Sequence, residues 1–128
     1  MSEPIWLSVA MVVAIRDEQL AIHGGLPGIR DPGLLASALD RPRNKWAYSS
    51  AGLAELAAGY GYGIARNYPF VDGNKRTSLL AIYTFLGMND IEFVVPEAEF
   101  AAMILALAAG EVSEENLTRW IRDNWPNA

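Results

Sequence analysis

The sequence predicts an all-α fold, a compact bundle of about six helices with at most one short strand-like segment. Three observations carry that expectation. Apolar residues recur at helical spacing through most of the chain, and the breaks between these stretches hold Asp-Pro, Gly-Gly or Ser-Glu-Glu signals of helix ends. Only Ile91-Glu92-Phe93-Val94-Val95 alternates as a strand does, and it is too short to found a sheet alone. The chain reads as a single domain, residues 1–128, with no internal repeat or linker; 52% hydrophobic against 20% charged residues supplies a core without disulfide or metal staples.

Ile5, Val9, Val12, Val13 and Leu20 share a helical spacing that His23-Gly24-Gly25 closes. The stretch from Leu26 to Gly33 is punctuated by proline and glycine and reads as a loop. Asp31 before Pro32 then starts a short helix through Leu34, Leu35, Ala38 and Leu39: the carboxylate caps free N–H groups, and proline loses nothing at the first position. Arg41-Pro42-Arg43-Asn44-Lys45-Trp46 reads as a polar, irregular connector. Leu53 to Arg66 is helical by pattern despite Gly59, Gly61 and Gly63, each of which costs about 1 kcal/mol against alanine in a helix interior. Gly59 and Gly63 lie four residues apart on one face, which predicts a closely packed backbone there. The Gly-x-Gly spacing follows no strand, so it does not read as a nucleotide loop. Asn67 to Gly73 is a loop, and Asn74 to Leu86 a strong helix ended by Gly87-Met88-Asn89-Asp90. Pro96-Glu97 opens a helix that runs to Ala109-Gly110, and Ser113-Glu114-Glu115 starts a last one with Leu117, Trp120, Ile121 and Trp125 on its apolar stripe.

Composition excludes several kinds of chemistry. A net charge of −5 argues against direct nucleic-acid binding by general phosphate attraction. Cysteine is absent and His23 is the one histidine, so thiolate nucleophiles and multi-imidazole metal sites are out; a bound metal would be a hard ion held by oxygen, such as Mg²⁺. The apolar stretches Ile5–Ile15 and Ala101–Ala109 are too short to span a bilayer, so no membrane association is expected. Glu3 and Arg16-Asp17-Glu18 flank the first in a way unlike an export signal, which makes the cytoplasm the expected location.

The stretch that carries chemistry is Asn67-Tyr68-Pro69-Phe70-Val71-Asp72-Gly73-Asn74-Lys75-Arg76-Thr77. A loop leads through Asp-Gly into a helix whose first turn is cationic, which opposes the helix macrodipole. Free N–H groups, the positive dipole end and two cationic side chains converge on one small volume, and a bound anion, most simply a polyphosphate, resolves the conflict. Gly73 lets the backbone approach that anion, and Asp72 stands where a carboxylate can hold a Mg²⁺ bridging phosphate oxygens. The alternative is a solvated basic turn with Asp72 as an N-cap. No Walker-type Gly-x-x-x-x-Gly-Lys-Ser/Thr string occurs.

Pro69-Phe70-Val71-Asp72-Gly73-Asn74-Lys75-Arg76 resembles the signature of the Doc (death-on-curing) toxins, the kinase branch of the Fic superfamily, and His23-Gly24-Gly25-Leu26-Pro27-Gly28-Ile29-Arg30-Asp31-Pro32-Gly33-Leu34-Leu35 is similar to that family's N-terminal block. With the length and helix count, the likeness covers essentially the whole chain. It implies a Fic-type helical fold and transfer of a phosphate-containing group from a nucleotide to a protein hydroxyl. Typical Fic proteins carry Gly at the position of Lys75 and transfer AMP; Doc proteins carry Lys and transfer the ATP γ-phosphoryl group to a threonine of elongation factor Tu, which stops translation. By this resemblance Asp72 is a Mg²⁺ ligand and Asn74, Lys75 and Arg76 hold phosphates. The backbone of Gly73 and Asn74 lines the anion hole, Arg41 to Tyr48 is a flap for the target, and a Phd-like antitoxin is the partner. Trp6, Trp46 and Trp120 are either contacts for that partner or ordinary core residues.

The sequence departs from the family pattern at one catalytic position. The family places histidine before the Pro-Phe pair as general base, and Tyr68 stands there. A neutral phenol accepts a proton poorly, being ionised to about one part in a thousand at pH 7. Loss of a positioned base costs about 10²–10⁴ in rate. His23, at the end of the first helix, reads as a helix-terminus residue rather than a replacement base. Arg16 stands where the family often has histidine. Two accounts of Tyr68 stay open: an inactivating change in a working toxin, or a naturally silent homologue kept as a binding module.

Overall fold

A computed structural model describes residues 2–126 of the chain. Its elements are α1 (Val9–His23), α2 (Pro32–Ser49), α3 (Leu53–Asn67), α4 (Asn74–Met88), α5 (Glu97–Ala108) and α6 (Glu114–Asp123). The all-α expectation holds. The pairing of extended backbone among the described residues is a single antiparallel bridge, Ile29 with Phe70.

The core is organised around α3, which packs against α2, α4, α5 and α6. Ala54, Leu56, Ala57, Ala58, Tyr60, Ile64 and Ala65 are buried on nearly its whole circumference, as a helix apolar all round requires. Its glycines set the packing distance. A Cβ on Gly63 would stand 2.9 Å from the Ala38 Cα, and one on Gly59 would press on the Pro42 ring at 3.3 Å. The close neighbour expected on that face is therefore α2.

Capping follows the sequence at most ends. Asp31 accepts from Leu34 N (3.0 Å) with Pro32 as the first helical residue, and Ser113 caps α6 through Asn116 N (3.0 Å). Gly24 ends α1 at φ 78°.

The structure corrects four local expectations. Ile5 lies outside α1, because Ser8 caps that helix by accepting from Met11 N (3.1 Å). The stretch Arg41–Trp46 is not a connector but the second half of α2; Pro42 sits inside that helix, buried. Proline has no N–H for the Ala38 carbonyl; that carbonyl lies over Gly63, and the proline ring lies over Gly59. Gly87 lies within α4, which runs on to Met88, and Asp90 takes the left-handed conformation beyond it (φ 66°). Ile91–Val95 is extended without a partner strand: Phe93 and Val95 point into the core while Glu92 and Val94 face water, so its alternation reports burial of one face.

Trp6, Trp46, Trp120 and Trp125 are half-buried and pack on the core. Trp6 stacks on Phe85 (centroids 6.1 Å apart), and Trp120 meets Phe93 and Phe100 at 5.9 and 5.3 Å. No helix among the described residues is long and apolar enough to cross a membrane.

Candidate active site

The two sequence blocks far apart in the chain meet in space. The loop after α1 lies along the loop between α3 and α4: Arg30 N and Asp31 N donate to Pro69 O (2.8 and 3.1 Å), and Val71 N donates to Gly28 O (3.1 Å). Arg30 reaches further, with Nε donating to Tyr68 O (2.6 Å) and Nη2 to Asn67 O (2.7 Å), satisfying carbonyls left over at the end of α3. Asn67 Nδ2 donates to Leu34 O (3.0 Å). Phe70 is buried between these layers.

At the start of α4, Gly73 is the N-cap residue in the left-handed region (φ 81°), and no side chain caps the helix. Its first backbone bond runs from Thr77 N to Gly73 O (3.0 Å), which leaves the N–H groups of Asn74, Lys75 and Arg76 without an acceptor among the described residues. Lys75 and Arg76 are exposed and form no ion pair among the described residues. Together with Tyr68, Val71, Asp72, Gly73 and Asn74 they line a cleft of about 370 Å³. All six site residues named from the sequence are thus brought to one place.

Their individual roles divide differently from the expectation. Asp72 does not cap α4: its Oδ1 accepts from Gly73 N (2.9 Å) and its Oδ2 from Leu26 N (3.2 Å), so the carboxylate is held by the two loops at the mouth of the cleft. Asp72 is therefore not the N-cap, while the exposure of Lys75 and Arg76 fits a solvated basic turn as well as an anion site. Asn74 turns its side chain away from any anion. Its Oδ1 accepts from Phe70 N and its Nδ2 donates to Phe70 O, both at 2.9 Å, so the side chain closes the loop and only the backbone N–H faces the helix terminus.

Tyr68 ends α3 in the left-handed conformation (φ 49°, ψ 54°), which for a bulky residue is held by its surroundings. The Arg30 clamp grips its carbonyl, and its hydroxyl donates to Ala108 O (3.1 Å) at the C-terminus of α5. The ring is 41% exposed and walls the cleft. His23 is exposed in the last turn of α1.

A second, larger cleft of about 570 Å³ lies between α2, α3 and α6. Arg41 and Lys45, from the expected flap, both close on Glu114: Arg41 Nε donates to Oε1 (2.9 Å), and Lys45 Nζ pairs with Oε2. Burial alone would raise the Glu114 pKa, but hydrogen bonds from Arg41 and Lys45 outweigh it and hold the carboxyl below its ordinary range. Arg41 also lies 4.7 Å over the Tyr62 ring, while Tyr48 at the end of this stretch is 91% exposed. Sequence reading missed the Arg30 clamp and the Glu114 hub, since neither follows from local spacing.

Comparison with known proteins gives a consistent relationship. Residues 6–86 match the Fic/DOC family. The chain is 32% identical over 117 residues to a protein named "Protein kinase doc" from Escherichia phage P1, spanning 91% of this chain and 92% of that protein. It is 41% identical over 73 residues to "Toxin Doc" of Mycolicibacterium smegmatis, spanning 54% of this chain and 55% of that one.

Proposed function

Since the chain belongs to the Fic/Doc family, we propose that it is a Doc-type toxin of a toxin–antitoxin pair. Its chemistry is transfer of the ATP γ-phosphoryl group to a threonine of elongation factor Tu, and Tyr68 holds that chemistry in an attenuated state. The observation that carries this reading is the open N-terminus of α4, with N–H groups and two cations that find no partner among the described residues around one cleft.

The residues present fit a nucleotide polyphosphate. Free donors and the cations Lys75 and Arg76 match phosphate oxygens, and Gly73 accommodates the left-handed backbone (φ 81°) from which α4 starts. Among the described residues no cluster of three metal-ligating side chains exists, so a Mg²⁺ would rest on Asp72 and the phosphates themselves, as that ion commonly does. When bound, ATP supplies the transferable phosphoryl group and Mg²⁺ neutralises its oxygens. In this account Lys75 and Arg76 orient the phosphates and stabilise charge on them, and Asn74 keeps Phe70 and its loop in register.

Tyr68 accounts for attenuation. Its hydroxyl donates to Ala108 O, and a phenol so engaged takes no proton from an incoming hydroxyl. Phosphoryl transfer with a loose transition state leans on alignment and charge, so a small residual rate is consistent with the intact cradle. A Phd-like antitoxin is the proposed partner and the cytoplasm the proposed location. The same hydroxyl contact favours the second reading, a silent homologue that serves as an antitoxin-binding module.

The test is Tyr68→His. The expected outcome is toxicity on induction and label from γ-phosphate-labelled ATP on elongation factor Tu, with a rate gain of about 10²–10⁴. A folded variant that binds ATP yet remains harmless and transfers nothing overturns the kinase reading in favour of the binding module. Label arriving only from the α-phosphate identifies adenylyl transfer instead.

A further inference from the structure

Arg16 is the single charged residue among the described ones that the fold buries, at 4% exposure. Its guanidinium is incompletely matched. Nη1 donates to Gly28 O (3.2 Å), Nη2 pairs with Asp17 Oδ1 (3.0 Å), and Nε is buried without any partner. A buried cation with an idle donor is costly, and an apolar side chain of the same length would fill the space at less cost. Packing alone therefore does not explain the charge.

Its other contacts lie in the loops around the start of α4. The guanidinium lies 4.8 Å over the ring of Phe70, the residue whose backbone Asn74 clamps. The Gly28 carbonyl that it grips also accepts from Val71 N. Its Cγ and Cδ stand 3.7 and 3.8 Å from where a Cβ on Gly73 would sit, directly against the N-cap of α4. The one carboxylate paired with it among the described residues, on Asp17, is 60% exposed, so it offsets that charge only in part.

We propose that Arg16 is a positioning residue for a polyphosphate at the start of α4. It fastens the Gly28, Phe70 and Gly73 layer beneath the cleft, and it places a poorly compensated positive charge behind the ligand. This rests on the anion-binding reading of that cleft and adds to it a residue outside the motif. The electrostatic part makes a paired prediction of opposite sign, because removing Arg16 and removing its counter-charge must move affinity in opposite directions.

The experiment is calorimetric titration of the full chain with tripolyphosphate and with ATP at low and high salt, alongside thermal unfolding, for the unaltered chain, Arg16→Met, Arg16→Lys and Asp17→Asn. Arg16→Met is expected to bind about tenfold more weakly, with Arg16→Lys intermediate because it keeps the charge and loses the planar stack. Asp17→Asn is expected to bind about two- to threefold more tightly at low salt, and the gain should shrink at high salt. If Arg16→Met does not fold, Asp17→Asn decides alone: tightening supports the proposal, and unchanged affinity overturns it. Unchanged affinity in folded Arg16→Met also overturns it and leaves the cleft's function standing. Failure of the unaltered chain to bind tripolyphosphate or ATP instead removes the anion-binding reading, and this inference with it.

Discussion

In the cleft between α2 and α6, Arg41 and Lys45 close on Glu114, whereas in the cleft at the start of α4, Lys75 and Arg76 pair with no carboxylate among the described residues. The larger cleft is internally neutralised and ties α2 to α6. The smaller one keeps its cations beside a helix end that is itself positive. The proposed function follows the distribution of charge in the two clefts rather than their size.

The largest effect should come from the unpaired cations. Lys75→Ala with Arg76→Ala is expected to lower ATP affinity by more than about 100-fold in titration calorimetry. The same double variant should unfold no more readily, and is expected to gain about 0.5 kcal/mol because cations leave the positive end of α4. A large loss of stability would mean that these side chains are structural and would dissolve the contrast between the two clefts.

Next in size is Asn74→Ala. It strands the N–H and C=O of Phe70, so chemical denaturation should show a loss of about 2 kcal/mol. ATP binding by the fraction that remains folded should weaken far less than in the cation variant. An equal weakening would restore the side chain of Asn74 to the phosphate-binding role that its bonds to Phe70 argue against.

The smallest is Glu114→Gln in the neutralised cleft, expected to cost about 1 kcal/mol at neutral pH and to leave ATP affinity unchanged. Its pH dependence has a definite sign. The folded-state pKa of Glu114 is lowered, so its contribution is fully present above the unfolded value near 4.3 and is lost as pH falls through the folded one. Denaturation of the variant followed from neutral to acid pH should therefore lack that part of the acid-side decline. Identical acid limbs would show that the Arg41–Glu114–Lys45 group is incidental.

The helical class and most helix boundaries were legible in the sequence because caps such as Asp31, Ser113 and Gly24 are local chemistry. The close approach at Gly59 and Gly63 was legible too, since a glycine pair on one helix face has few other uses. The motif showed which residues would gather at the cleft, because six of them lie within nine positions of one turn. What local reading missed was long-range. Arg41–Trp46 read as a connector because a helix with a proline inside it depends on what packs around it, here α3 through Gly59 and Gly63, and Ile91–Val95 looked like a strand because burial on one side imprints the same alternation. The side chain of Asn74 serves Phe70 rather than an anion, which only the loop's curvature decides. Arg30, Arg16 and Glu114 work through partners 12 to 73 positions away, and no spacing rule reaches that far.

The fit of Gly63 against Ala38 bears on how such a protein is silenced by mutation. In a selection that rewards cells for escaping a harmful product, almost any missense change at Gly63 would do, because an added side chain would clash with the backbone of α2 and push that helix off α3. Survivors of that sort would also lose whatever the folded chain offers a binding partner. Exchange at position 68 is a different route: it reaches one atom's worth of chemistry and leaves the scaffold, so the gene would go on specifying a stable product that occupies its partner.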